Sequence, residues 1–225
     1  MTRPVLLIAG TVLLAALWAG PVPRWAQASF SAHMVLHMGV VALAAPLIAL
    51  GLAGGPFDPA RRAPVLFPPI LASIFELIVV WSWHTPALHH AARSHTPAFV
   101  AEQAAFLLSG LWVWLSTLGG GPIARAERRG AGVLALLLTS MHMTLLGALL
   151  ALPQRPLFKH GGHGAEHGSG WLSPLEDQHL GGAVMLLMGG VSYLAGGVWL
   201  VLELLRRRVR PQAAADRDAQ EVPRP

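Results

Sequence analysis

The segment His33-Met34-Val35-Leu36-His37-Met38 sets two imidazoles four residues apart within an apolar stretch. On a helix this spacing stacks both rings on one face, about 5–6 Å apart at Cβ, which suits two nitrogens on one metal ion. Met34 lies one turn from both His37 and Met38, so thioether sulfur can join them. The chain has no cysteine, and any soft-metal site must therefore be built from His and Met. Sulfur with imidazole and no carboxylate suits Cu(I) better than Mg or Mn. The same residues also fit a wet, interfacial helix end with methionines that only pack.

Nine further histidines complete the set of 11. Met141-His142-Met143 lies deep in another apolar stretch, where His142 is either an inward ligand or an interhelical hydrogen bonder. Successive helical residues point about 100° apart, so those three side chains cannot all face one ion. Met185 and Met188 read as packing residues. His160, His163 and His167 punctuate a glycine-rich stretch, which is either a tract that captures metal weakly or a plain polar exposed loop. Glu76 and Glu102 stand well inside apolar blocks, where a carboxylate is costly and faces a partner or a wet cavity. Glu102 could orient an imidazole from behind. Glu76 could do the same, be protonated, or bond Ser73 or a neighbouring helix. Asp177, just after Ser173-Pro174, either caps the last helix or holds the ring of His179.

These residues need a scaffold, and the composition specifies which. Of 225 residues, 54% are hydrophobic and 12% charged, against about 25% charged in an average soluble domain. Six apolar blocks, residues 4–20, 31–52, 66–83, 98–118, 131–152 and 180–205, reach or approach the roughly 20 residues a bilayer requires. Backbone polar groups in lipid must be paired within their own segment, so the blocks predict helices. The expected fold is all-α: a polytopic bundle of about six transmembrane helices over residues 1–210, followed by a disordered tail over 211–225.

Arginine placement orients the bundle. Arg3, Arg61, Arg62, Arg125, Arg128, Arg129 and the arginines of 206–210 fall on one side; Arg24, Arg93, Arg155 and Lys159 fall on the other. The positive-inside rule makes the first side cytoplasmic, with both termini inside. His33, His37, His84, His89, His90, His95, His160, His163, His167 and His179 then all gather at the extracytoplasmic side. A competing reading of the N-terminus takes Ala26-Gln27-Ala28 as a signal-cleavage site, although Pro21, Pro23 and Trp25 fit a turn with an interfacial anchor. The net charge of +5 reports topology, and nucleic acid is not an expected partner.

Four ordered motifs carry a family resemblance: Phe30-Ser31-Ala32-His33-Met34 through His37-Met38, with Ala45-Pro46-Leu47 and Gly51; Trp83-His84-Thr85-Pro86; Glu102-Gln103 with Phe106; and Ser173-Pro174-Leu175-Glu176-Asp177-Gln178-His179-Leu180-Gly181-Gly182. Over about residues 30–205 the chain resembles the multi-span CtaG-like assembly factors of caa-type cytochrome c oxidase, with Gln103 standing where that family tends to show His. The resemblance implies a non-catalytic factor in the bacterial cytoplasmic (inner) membrane that helps copper reach the catalytic subunit of a haem–copper oxidase, with periplasmic copper chaperones as further partners.

The expected ligand pool is His33, His37, His84, His142 and His179, with Met34 and Met38. Glu102, Asp177 and Glu76 would support the ligands, and His160, His163 and His167 would form a capture loop. Two rival functions use the same residues. Paired histidines on facing helices could ligate haem, and a copper transporter would need a polar route across the membrane.

Overall fold

The computed structural model describes residues 2–158 and 172–220, and no strand occurs among them. Four helices are each long and apolar enough to cross a membrane by themselves: Phe30–Leu52, Thr96–Leu118, Arg128–Ala151 and Pro174–Arg206. Two bent helix pairs are long and apolar enough for a further span each, if each pair crosses as one unit. α1 (Arg3–Ala19) turns by 51° into α2 (Val22–Ala28), and α6 (Pro69–Trp83) turns by 71° into α7 (Pro86–Ser94). Prolines set both bends: Pro21 and Pro23 at the first, Pro86 at the second, each restricting the residue before it and lacking an N–H for the helix ladder. The expected bundle is therefore present with four to six spans. The 15 residues of α6 rise only about 22 Å, so α6 needs its bent partner to approach the thickness of a bilayer. The segment after Trp83, expected as a loop, is the short helix α7.

The span 30–52 is itself composite. α3 (Phe30–Met38) carries the two histidines, a π-helical turn occupies Gly39–Ala44, and α4 (Ala45–Leu52) completes the span. Pro46 explains much of this, because its ring has no N–H for the carbonyl of Ala42. Ala45 N–H donates back to Val40 in the π pattern, which also releases the carbonyl of Val41. Side chains from other helices satisfy both. Ser192 Oγ donates to Ala42 O at 2.6 Å, and Trp114 Nε1 donates to Val41 O at 3.0 Å. A π-turn beside a functional motif is a recurrent device in helices.

α1 lies against α4 with almost no gap. A Cβ on Gly51 would come within 2.6 Å of Leu7, the close approach through small residues by which membrane helices associate without a hydrophobic drive. At the arginine-rich end, the buried carboxylate of Asp58 caps α5 (Pro59–Arg62) through Ala60 N and also accepts from Gly54 N and Gly120 N. It thereby ties the end of α4 to the turn between α8 (Thr96–Leu118) and α9 (Pro122–Ala151). Arg129 and Glu203 pair at 3.3 Å across α9 and α10 (Pro174–Gln220).

At the other end of the chain, α10 runs as helix to Gln220. Extending an existing helix costs far less than nucleating one, and Ala213, Ala214 and Ala215 are strong helix formers.

Candidate metal centre

α3 is fixed at its first turn before its histidines are reached. Ser29 is the N-cap and accepts from Ala32 N. The Asp177 carboxylate accepts from Phe30 N at 2.6 Å, from Ser31 N at 3.1 Å, and from the hydroxyls of Ser29 and Ser31. A carboxylate at a helix N-terminus satisfies orphan N–H groups and complements the helix dipole. This corrects the reading of Asp177 as the cap of its own helix or the holder of His179. Ser173 and Glu176 form the capping box of α10 (Ser173 N to Glu176 Oε2, 2.8 Å; Glu176 N to Ser173 Oγ, 3.3 Å), and Asp177 reaches across to α3.

From that anchor, His33 and His37 project on one face as their spacing requires, with rings 15° from parallel and centroids 6.4 Å apart; both are fully buried. The bend after α6 places His84 against them, 5.7 Å from His33 and 5.3 Å from His37. α7 folds back and sets His89 edge-on to His33 at 5.0 Å. Phe106 of α8 closes the inner side, its centroid 4.0 Å from that of His37, while Phe30 and Phe158 stack at 4.7 Å and cover His89.

The nitrogens of this cluster carry the chemistry. Neither ring nitrogen of His33, of His37 or of His142 has a hydrogen-bond partner, and neither does Nε2 of His84. Buried polar atoms left in this state cost free energy. His84 Nδ1 is 2.6 Å from the carbonyl of Val80. A carbonyl only accepts, so Nδ1 carries the proton and Nε2 presents its lone pair. With metal–nitrogen bonds of about 2 Å, ligand rings stand roughly 5 Å apart at tetrahedral angles and about 6 Å apart when opposed. The observed spacings of 5.0–6.4 Å span that range. Ligand atoms of His33, His89 and Glu102 also lie within 4.8 Å of one another.

Glu102 is fully buried and pairs with Arg93, whose guanidinium also donates to Ala26 O at 2.7 Å. Glu102 Oε2 lies 3.9 Å from His33 Nδ1, at the edge of the cluster. Gln103 donates to Glu102 at 3.3 Å and accepts from Trp18 Nε1 at 3.2 Å, so it anchors α1 to α8.

Other expected participants are placed elsewhere. Phe30, Met34 and Met38 form the neighbouring stripe of the same span and press onto α10, where a Cβ on Gly181 would meet Phe30 and Met34, and one on Gly189 would meet Met38. Both methionines thus lie packed over glycines of α10, a position their flexible thioethers fill well. His179 turns away, with Nε2 2.8 Å from Pro153 O. Glu76 is bonded by Tyr193 OH at 2.7 Å, deep in the bundle, rather than by an imidazole. His142 is buried on α9 within electrostatic reach of His37. His160, His163 and His167 lie outside the described residues.

Residues 1–207 match the family model of the Cytochrome c oxidase caa3 assembly factor (Caa3_CtaG). The chain belongs to this family. As a caa3 assembly factor it is a helical membrane protein that acts on cytochrome c oxidase. No curated protein and no solved structure matches it.

The residue of this caa3 assembly factor that sequence reasoning missed is His89. It falls between the apolar blocks 66–83 and 98–118, yet Pro86 opens a helix there and adjacent helical residues diverge by about 100°. Of His89 and His90, only one can face inward. Ala92, three residues on and also buried, marks which face that is.

Proposed function

We propose that the chain is a copper-holding assembly factor: His33, His37, His84 and His89 bind Cu(I), and the ion is passed to the catalytic subunit of a haem–copper oxidase. The observation that carries this reading is the set of buried ring nitrogens of His33, His37 and His84 without hydrogen-bond partners, with His89 packed edge-on to His33 beside them. A bound ion would satisfy them as ligands. Imidazole suits copper, zinc, iron and nickel alike; charge narrows the choice. Among the described residues, the carboxylate beside the site is that of Glu102, already paired by Arg93, so the donor set is close to neutral. The solvation cost of a buried ion grows with the square of its charge, which favours a monovalent ion. The preference for Cu(I) thus rests on burial and charge rather than on methionine sulfur. Haem fits less well, because the imidazoles pack against one another and against Phe106 with centroids 4.0–6.4 Å apart.

The arginine distribution orients the histidine end outward, with both termini in the cytoplasm of a bacterium and the bundle in its inner membrane. Copper chaperones on that outer side are the natural donors, and His160, His163 and His167 supply a capture segment. The role is holding and handing over rather than catalysis. A transporter would need ligands to continue toward the arginine end. There Asp58 bonds backbone amides, and Arg129 pairs with Glu203.

Metal analysis of the purified chain with its visible spectrum tests the reading. The expected result is retained copper and no Soret band; a Soret band, or loss of all metal to a weak chelator, would refute it.

A further inference from the structure

A cavity of about 290 Å3 opens beside the cluster, between α7 and the segment that follows α9, and is lined by Pro86, His89, His90, Arg93, Leu157 and Phe158. It lies where the two adjacent histidines part. His90 is exposed, while His89 retains 3% of its surface. His89 therefore belongs to two places at once: it lines the cavity, and its ring stands 5.0 Å from that of His33 inside.

The charge in the cavity wall is balanced. Arg93 alone would repel an approaching cation, but Glu102 pairs with it at the inner side. An ion moving through low-dielectric surroundings must keep ligands throughout, since shedding them exposes its full solvation cost. Rings 5.0–5.7 Å apart, from His89 to His33 to His84, allow each new nitrogen to bind before the last one leaves.

Resting on the copper-binding reading above, we propose that this cavity is the access port of the buried site, and that a cuprous ion passes from His90 to His89 and then to His33. The step is ligand exchange only: each new Cu–N bond forms as the previous one breaks, and no electron is transferred.

The absence of cysteine makes a direct test available. Leu157→Cys, half exposed on the port rim, would be labelled in the full-length detergent-solubilised chain with a bulky, uncharged maleimide; Leu145→Cys, exposed on α9 outside the port, would be labelled as the control. Cu(I) uptake from a coloured chelator would be followed by stopped flow, and affinity by equilibrium competition. The label at Leu157→Cys should slow loading at least tenfold and leave affinity within twofold, and the label at Leu145→Cys should change neither. His90→Ala should also slow loading without lowering affinity. Wild-type loading rates in the chain labelled at Leu157→Cys would overturn the port while leaving the site intact. If unlabelled wild type takes up no copper, the binding site itself is refuted, and the port with it.

Discussion

The carboxylate of Asp177 on α10 receives the first two amide N–H groups of α3, from Phe30 and Ser31, at 2.6 and 3.1 Å. A residue 144 positions beyond His33 in sequence therefore sets the direction in which His33 and His37 leave the helix. The glycines of α10 reinforce that contact by letting Phe30, Met34 and Met38 press close.

Asp177→Ala should weaken the fold and the site together. Losing an N-cap-type carboxylate costs about 1–2 kcal/mol, and Ser29 and Ser31 also lose their acceptor. The variant should melt at lower temperature in detergent and bind copper less tightly. Wild-type melting would show that the cap contributes little.

The tautomer of His84 predicts a contrast between two histidines. His84→Ala removes a bare Nε2 from the cluster and should lower Cu(I) affinity at least tenfold, about 1.4 kcal/mol. His179→Ala removes a ring already turned to Pro153 and should leave affinity within twofold. Competition against a Cu(I) chelator separates them, and equal losses would contradict the assignment.

Met34→Leu and Met38→Leu test packing against ligation. Volume-conserving swaps in a core usually cost less than about 1.5 kcal/mol, so both variants should fold and bind copper as wild type does. A tenfold loss of affinity with unchanged melting would restore sulfur to the ligand set.

Glu102→Gln leaves Arg93 beside the cluster without its counter-charge. Breaking a buried pair from one side costs about 3–5 kcal/mol, and the stranded guanidinium opposes any cation. Stability and Cu(I) affinity should both fall. Arg93→Met combined with Glu102→Gln should recover much of the stability, as read from thermal melting; failure to recover would mean that Glu102 has another partner of comparable weight.

Hydropathy made the spans legible because lipid enforces long apolar runs, and the i, i+4 spacing made the His33–His37 face legible because helical periodicity is local. His84 was legible from its motif, although its fixed tautomer was not. What escaped depends on tertiary direction. His89 needed the 71° turn between α6 and α7 to reach His33. Asp177 could be read as a cap, but which helix it caps is decided by how α10 meets α3. Met34 and Met38 fall one residue after each histidine, about 100° around the helix, and only the position of Gly181 and Gly189 makes that stripe a packing face. Glu76 was recognisable as a costly buried acid; its partner Tyr193 lies 117 residues away.

X-ray absorption at the copper edge of the copper-loaded chain tests the central claim most directly. The account predicts a first shell of two to four nitrogen scatterers at about 2 Å with the outer-shell signature of imidazole, and no sulfur near 2.3 Å; this signal should weaken in His37→Ala. A dominant sulfur shell, or a spectrum of hydrated copper that His37→Ala leaves unchanged, would contradict it.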